Sequence, residues 1–265
     1  MNLNLENARV TNWSKEPLLS LGGSSQRKLA KAIRYSRQIV EDSIELLAAY
    51  ERARIVAQAD ARMAIDFFGT HDIVREVLAK YFGLALNAPG TPPAGTNLAD
   101  QAKVPGILAK YRQIKTGISG QFDIVVGSIH DGDDVKDGLK DAFKELRHGG
   151  GFKGGWRHIK FIRQGTEGWV NGGGDRQRIH LNTNVIETYS EGKIARVIVH
   201  EASHKLANTD DVSLLDDGSD DGSGYKWDGL KFNAKGYVGL ENNADSFAWG
   251  GRLMWKRKRR LHSGV

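Results

Sequence analysis

IARVIVHEASH, residues 194–204, is the stretch from which the rest of the chain is best read. Its first six residues are apolar except for Arg196 and suit a helix. Its last five are His200-Glu201-Ala202-Ser203-His204. On a helix, residues four apart share one face, so both imidazoles can reach a single metal ion. Glu201 projects beside them. Two His ligands and an adjacent carboxylate are the donor set of a zinc peptidase, the Glu serving as base for the attacking water. A catalytic zinc needs a third protein ligand and an open fourth position. The chain contains no cysteine, so that ligand has to be His, Asp or Glu. Asn208-Thr209-Asp210-Asp211 follows the helix, and a turn there can fold a carboxylate back toward the histidines. Spacing does not separate Asp210 from Asp211, and an Asp in such a stretch also suits a solvated turn.

Composition narrows the field around this motif. Among 265 residues, 38 are Lys or Arg and 32 are Asp or Glu, a net charge of +6. The length allows one large domain or two small ones with a sizeable core. Without cysteine, disulfides, iron–sulfur clusters, thiolate zinc sites and thiol nucleophiles are excluded. No apolar run reaches 18 residues, so no membrane span is expected. The first 25 residues lack a basic start followed by an apolar stretch, so no Sec signal is expected and synthesis in the cytoplasm is. An excess of +6 is modest and by itself does not indicate a nucleic-acid partner, and none is expected.

Outward from the motif, the pattern is mostly helical. Residues 1–23 read as an irregular N-terminal arm, and 24–265 as one domain. From Ser24, with Ser24 or Ser25 as cap, Leu29, Ile33, Val40, Ile44 and Leu47 recur at the period of one buried helical face. Helical composition continues to Phe68. Gly69 is read as a break and Thr70 as the cap of a second helix, which ends at Gly83. Residues 87–97 hold three of the five prolines and form a loop. A helix near 99–115 precedes short strands at 122–126, 158–162 and 178–182. A charged helix at 135–147 and glycine-rich loops at 149–155 and 172–174 lie between the strands. Helices at 192–206 and 240–256 flank the acidic loop 216–224, and a basic tail, 256–265, closes the chain. The fold class expected is α+β, mostly helical with a small β-sheet.

HEASH at 200–204, then NTDD at 208–211, then Asn243-Ala244-Asp245-Ser246-Phe247, resembles the aspzincin metallopeptidases, the deuterolysin and peptidyl-Lys metalloendopeptidase group. Weaker similarity extends over residues 24–250. The opening helix with Phe67-Phe68-Gly69 resembles the family's first helix, and Arg178-Ile179-His180-Leu181 its edge strand before the metal helix. The resemblance implies a zincin-like metallopeptidase domain with one Zn2+ per chain, held by His200, His204 and Asp211, with Glu201 as base. Thr209 aligns with the family's Thr, which supports Asp211 over Asp210. The family's Tyr, whose hydroxyl faces the oxyanion, is Leu214 here, and Tyr225 or Tyr237 are the candidates to replace it. Asn208 replaces the family's Gly. In Lys-specific members an Asp and a Glu bind the substrate lysine. Asp245 matches the Asp, whereas Ala248 stands at the Glu, so a basic P1′ preference is implied in weakened form. Asp245 suits a capping or supporting role equally.

The function expected is zinc-dependent cleavage of protein or peptide substrates, by a chain that acts as a bacterial effector or toxin. Export by a signal-independent secretion system and an immunity or inhibitor protein as partner go with that reading. The rival reading is a zinc-binding or toxin-like interaction module that has lost turnover with the Tyr. Other signals are weak. Residues 149–154 fit GxGxxG but follow no strand, so a dinucleotide site is not expected. The loop 216–224 only loosely matches a calcium site. His130, His148, His158 and His180 are read as structural or solvated.

Overall fold

The computed structural model describes residues 3–12, 21–59, 68–86, 96–127, 168–169, 178–211 and 239–263. The expected helix at 135–147, the strand at 158–162 and the loops 149–155, 172–174 and 216–224 lie outside them. The described residues form an α+β protein in which helix predominates over one small mixed sheet. Packing divides the chain into two compact units, residues 1–34 with 120–201 and residues 35–119 with 202–265.

The first unit is built on a five-stranded sheet of order β1-β2-β3-β5-β4. Its strands are β1 (Leu3–Leu5), β2 (Ala8–Asn12), β3 (Phe122–Gly127), β4 (Gly168–Trp169) and β5 (Arg178–Asn182). β2, β3 and β5 run parallel, while β1 and β4 pair antiparallel at the two edges. Residues read as an irregular arm are therefore a hairpin. Leu5 faces Ala8 across a two-residue loop, Glu6-Asn7, with φ of 51° and 65°. Positive φ at both loop positions gives the twist that a tight hairpin requires. Ala8 and Val10 are fully buried, since β2 lies along β3, far away in sequence. Arg9 stands opposite Asp123 in that register, its Nε donating to Oδ1 at 2.8 Å and its Nη2 to Oδ2. β3 and β5 are buried almost throughout, as parallel strands covered on both faces should be. β5 occupies the expected span 178–182 but is no edge strand, because β4 pairs outside it.

β5 runs directly into α4 (Thr183–Thr188), whose N-cap is Asn182. The Asn182 Oδ1 accepts from the Asn184 N–H at 3.0 Å, satisfying a donor that the first helical turn leaves free. After Tyr189 and Ser190 the chain enters α5 (Glu191–Ala207), which matches the helix expected at 192–206. Glu191 lies in its first turn, and a backbone hydrogen bond there holds the carboxyl below its ordinary range.

In the second unit, α1 (Gly23–Ala59, from Tyr35 onward), α2 (Phe68–Phe82), α3 (Thr96–Ser119) and α6 (Ala244–Ser263) enclose an aromatic core. Phe247 meets Phe82 and Tyr111 edge-on, with ring centroids 5.3 and 5.0 Å apart. The Tyr111 hydroxyl donates to the Phe247 carbonyl at 2.9 Å, and burial pushes its pKa up. Gly69 and Thr70 sit inside the first turn of α2 and do not break or cap it. The basic run 256–260 is helical, not a tail. Lys258 donates to Asp42 and Glu45 at 2.7 and 2.5 Å, and Arg257 to Glu76 at 2.7 Å, so carboxylates of α1 and α2 offset the like charges of α6.

Candidate metal centre

α5 positions the motif by being buried on every side, and apolar except at Arg196, before it reaches the histidines. Ile194, Ala195, Val197, Ile198 and Val199 are each 1% exposed or less. Such a helix is held by its whole circumference, which leaves little freedom in where the next turn points. His200 and Glu201 follow, 6% and 4% exposed, with His200 Nε2 4.0 Å from Glu201 Oε1. In the first unit, Gly168 of β4 lies against this turn. A Cβ at Gly168 would stand 2.8 Å from the His180 carbonyl, 3.0 Å from Val197 Cγ1 and 3.1 Å from Glu201 Cγ. Only glycine lets this strand approach the helix without displacing Glu201.

The helix ends in a turn that returns to it. Asn208 has a φ of 49°, the left-handed conformation in which helices commonly terminate, and Asn tolerates it better than most residues. Asn at position 208 is thus compatible with the backbone that the turn requires. The Thr209 N–H bonds back to the Ser203 carbonyl at 3.4 Å, and the buried hydroxyls of Ser203 and Thr209 are 2.8 Å apart. His204 Nδ1 lies 2.7 Å from the Thr209 carbonyl oxygen. A carbonyl can only accept, so Nδ1 carries the proton and a neutral ring keeps its lone pair at Nε2. That second hydrogen bond fixes tautomer and ring orientation, as it does in metal-binding histidines generally.

Asp211 is where this turn leads. Its Oδ2 is 3.4 Å from His204 Nε2, and ligand atoms of His200, His204 and Asp211 all lie within 4.8 Å of one another. Ligand atoms on a tetrahedral zinc with bonds of about 2.0–2.2 Å are separated by about 3.4 Å. A lone pair on Nε2 facing a carboxylate oxygen at that distance is favourable only with a cation between them or a second proton on the ring. The His204–Asp211 separation matches that edge, and the donor set, two nitrogens and one oxygen, is of the type that could hold a divalent metal. Asp210, by contrast, is exposed, and its backbone forms a parallel bridge with Asn243. Its N–H donates to the Asn242 carbonyl at 2.9 Å and its carbonyl accepts from the Ala244 N–H at 2.9 Å. The structure therefore brings Asp211, not Asp210, to the histidines.

No family model matches this chain, and the searches of curated proteins and of solved structures returned no match. The aspzincin resemblance rests on the quoted motifs alone.

The remaining sequence-predicted residues are placed less centrally. Asp245 is in the first turn of α6 and 1% exposed. A carboxylate there faces the positive end of the helix dipole, which suits the supporting role weighed for it. Asn243, two residues earlier, is fully buried and donates from Nδ2 to the Ser246 hydroxyl at 3.0 Å. The motif 243–247 thus forms the platform on which the ligand turn rests. Tyr225 and Tyr237 lie outside the described residues. His180 is buried on β5, opposite Val125 and Trp169, and is not in the cluster with His200, His204 and Asp211. Sequence reading missed Gly168, the carbonyl of Thr209 and the 3-10 turn Leu240–Asn242. A backbone acceptor leaves no trace in residue type, and the glycine signals close approach without naming the neighbour.

Proposed function

We propose that this chain is a zinc-dependent endopeptidase with a mostly helical, zincin-like catalytic domain. The observation that carries this reading is the meeting of donor atoms from His200, His204 and Asp211 within 4.8 Å, on a helix that also presents Glu201. One zinc ion per chain supplies Lewis acidity, polarising a peptide carbonyl and making water more acidic. Glu201 takes the proton of the attacking water and passes it to the departing amine. Glu201 is 4% exposed, so little bulk water reaches its carboxylate. His204 is held by Thr209 through Nδ1, with Nε2 turned toward Asp211.

The substrate in this reading is a protein or peptide. A preference for a basic P1′ residue is the finer part of the proposal and rests on Asp245, which matches the Lys-specific members of the resembled family. Sequence position Leu214 favours a second reading, a zinc-binding module with impaired turnover. Loss of an oxyanion donor typically costs about 3 kcal/mol of transition-state stabilisation.

Glu201→Gln decides between them and tests the first. The expected result is one zinc per chain in both proteins, casein cleavage by the wild type and none above background by the variant. A variant that cleaves at the wild-type rate removes Glu201 from the mechanism. A wild type that binds zinc and never cleaves leaves the module reading standing.

A further inference from the structure

Asp211 is a ligand that no regular element carries, so something outside its own turn has to hold it. The bridge between Asp210 and residues 242–244 is one such hold. It transfers the question to the 3-10 turn Leu240–Asn242, which is itself only three residues long. Within the second unit, α3 reaches this turn twice. Lys103 approaches Glu241 at 3.4 Å, with both side chains more than a third exposed. Lys110, two helical turns further on, donates from its half-buried ammonium to Asn242 Oδ1. The same ammonium stands 5.9 Å from the centre of the Phe247 ring, a favourable position for a cation.

We propose that Lys110 is a positioning residue for the metal centre, acting through Asn242 on the backbone of Asp210 and so on the carboxylate of Asp211. The inference rests on the reading of His200, His204 and Asp211 as metal ligands. The chain of contacts is continuous: Lys110 Nζ to the Asn242 side chain, the Asn242 carbonyl to the Asp210 N–H, and Asp210 covalently to Asp211. Each link is local and directional. An ammonium bonded to a neutral amide oxygen in a half-buried setting is stronger than a neutral pair, whereas the exposed Lys103–Glu241 pair is screened by solvent. Burial pushes the Lys110 amine down, while Glu241 and Asp210 oppose that. Lys110 touches neither metal nor substrate in this arrangement.

The test uses the full chain and zinc alone as ligand, titrated against a competing chelator, with cobalt(II) absorption as a report on ligand geometry. Lys110→Met is expected to weaken zinc affinity about tenfold, the lower end of what outer partners of a metal site contribute. Its cobalt spectrum should change in intensity and position, which a general loss of stability would not produce. Asn242→Ala, at the other end of the same bond, should reproduce both effects, so a folding defect in one variant leaves the other to decide. The double variant should be no worse than either single one. Lys110→Arg should recover most of the affinity, and Lys103→Met should bind within twofold of the wild type. Zinc affinity and cobalt spectra unchanged in Lys110→Met and Asn242→Ala, with the wild type binding zinc, overturn this inference alone. A wild type that takes up no zinc overturns the metal reading and this inference together.

Discussion

The histidines and the aspartate of the metal-competent cluster are held by different kinds of structure. His200 and His204 sit one turn apart on α5, behind a body of buried aliphatic residues, and their relation follows from helix geometry alone. Asp211 stands outside that helix and is placed by a left-handed Asn208, by hydrogen bonds returning to Ser203 and His204, and by a bridge to Asn243. One half of the site is specified by period and the other by tertiary hydrogen bonds. The lesson is that HExxH can be read from residues five at a time, whereas the place of Asp211 depends on contacts with residues more than thirty positions away.

The sharpest way to break this contrast is to exchange its two carboxylates. Asp211→Asn is expected to weaken zinc binding by more than about a hundredfold, beyond the range for outer partners of a site. Asp210→Asn should bind within a few fold of the wild type, since its contribution is made by the backbone. Chelator competition measures both, and equal losses would return the choice of ligand to an open question. On the helical side, Gly168→Val is predicted to lower kcat/KM for peptide cleavage by about a hundredfold, the effect of roughly an ångström of misplacement near a reacting centre. Zinc content should stay at one per chain, since the new side chain would press on Glu201 and the His180 carbonyl and not on His204. The smallest effect is expected in the turn itself. Asn208→Ala should cost about 1–2 kcal/mol in urea unfolding, the penalty of a left-handed conformation, and Asn208→Gly should cost less than about 1 kcal/mol. An Ala variant as stable as the wild type would mean that the turn is not what fixes Asp211.

What sequence could and could not reveal follows the same division. The first long helix was legible because Leu29, Ile33, Val40, Ile44 and Leu47 repeat at the helical period, and all but the half-buried Ile44 are fully buried. β3 was legible as a short apolar stretch, and β5 from Ile179 and Leu181 alternating with polar neighbours. The hairpin at 3–12 was not, because its few apolar residues acquire burial only when β2 lies beside β3, and no local pattern announces that pairing. The start of α2 was misplaced because Gly69 is a poor helix former but tolerable in a first turn. The end of α6 was misplaced because like charges at 256–260 read as a solvated tail until the carboxylates of Asp42, Glu45 and Glu76 are seen opposite them. Of the site, His200, Glu201 and His204 were visible in the motif. Asp211 could be separated from Asp210 in sequence only through resemblance, and is separated in the structure by which of the two the bridge turns toward solvent.

The bond from His204 to the Thr209 carbonyl has a consequence for how a metal would be acquired. An imidazole in water divides its proton between two nitrogens, and a metal has to select one tautomer from the mixture. Here the backbone has already made that selection, at 2.7 Å and within five residues of chain. The nitrogen facing Asp211 is the one left without the proton, so a cation meets a lone pair that is in place before it arrives.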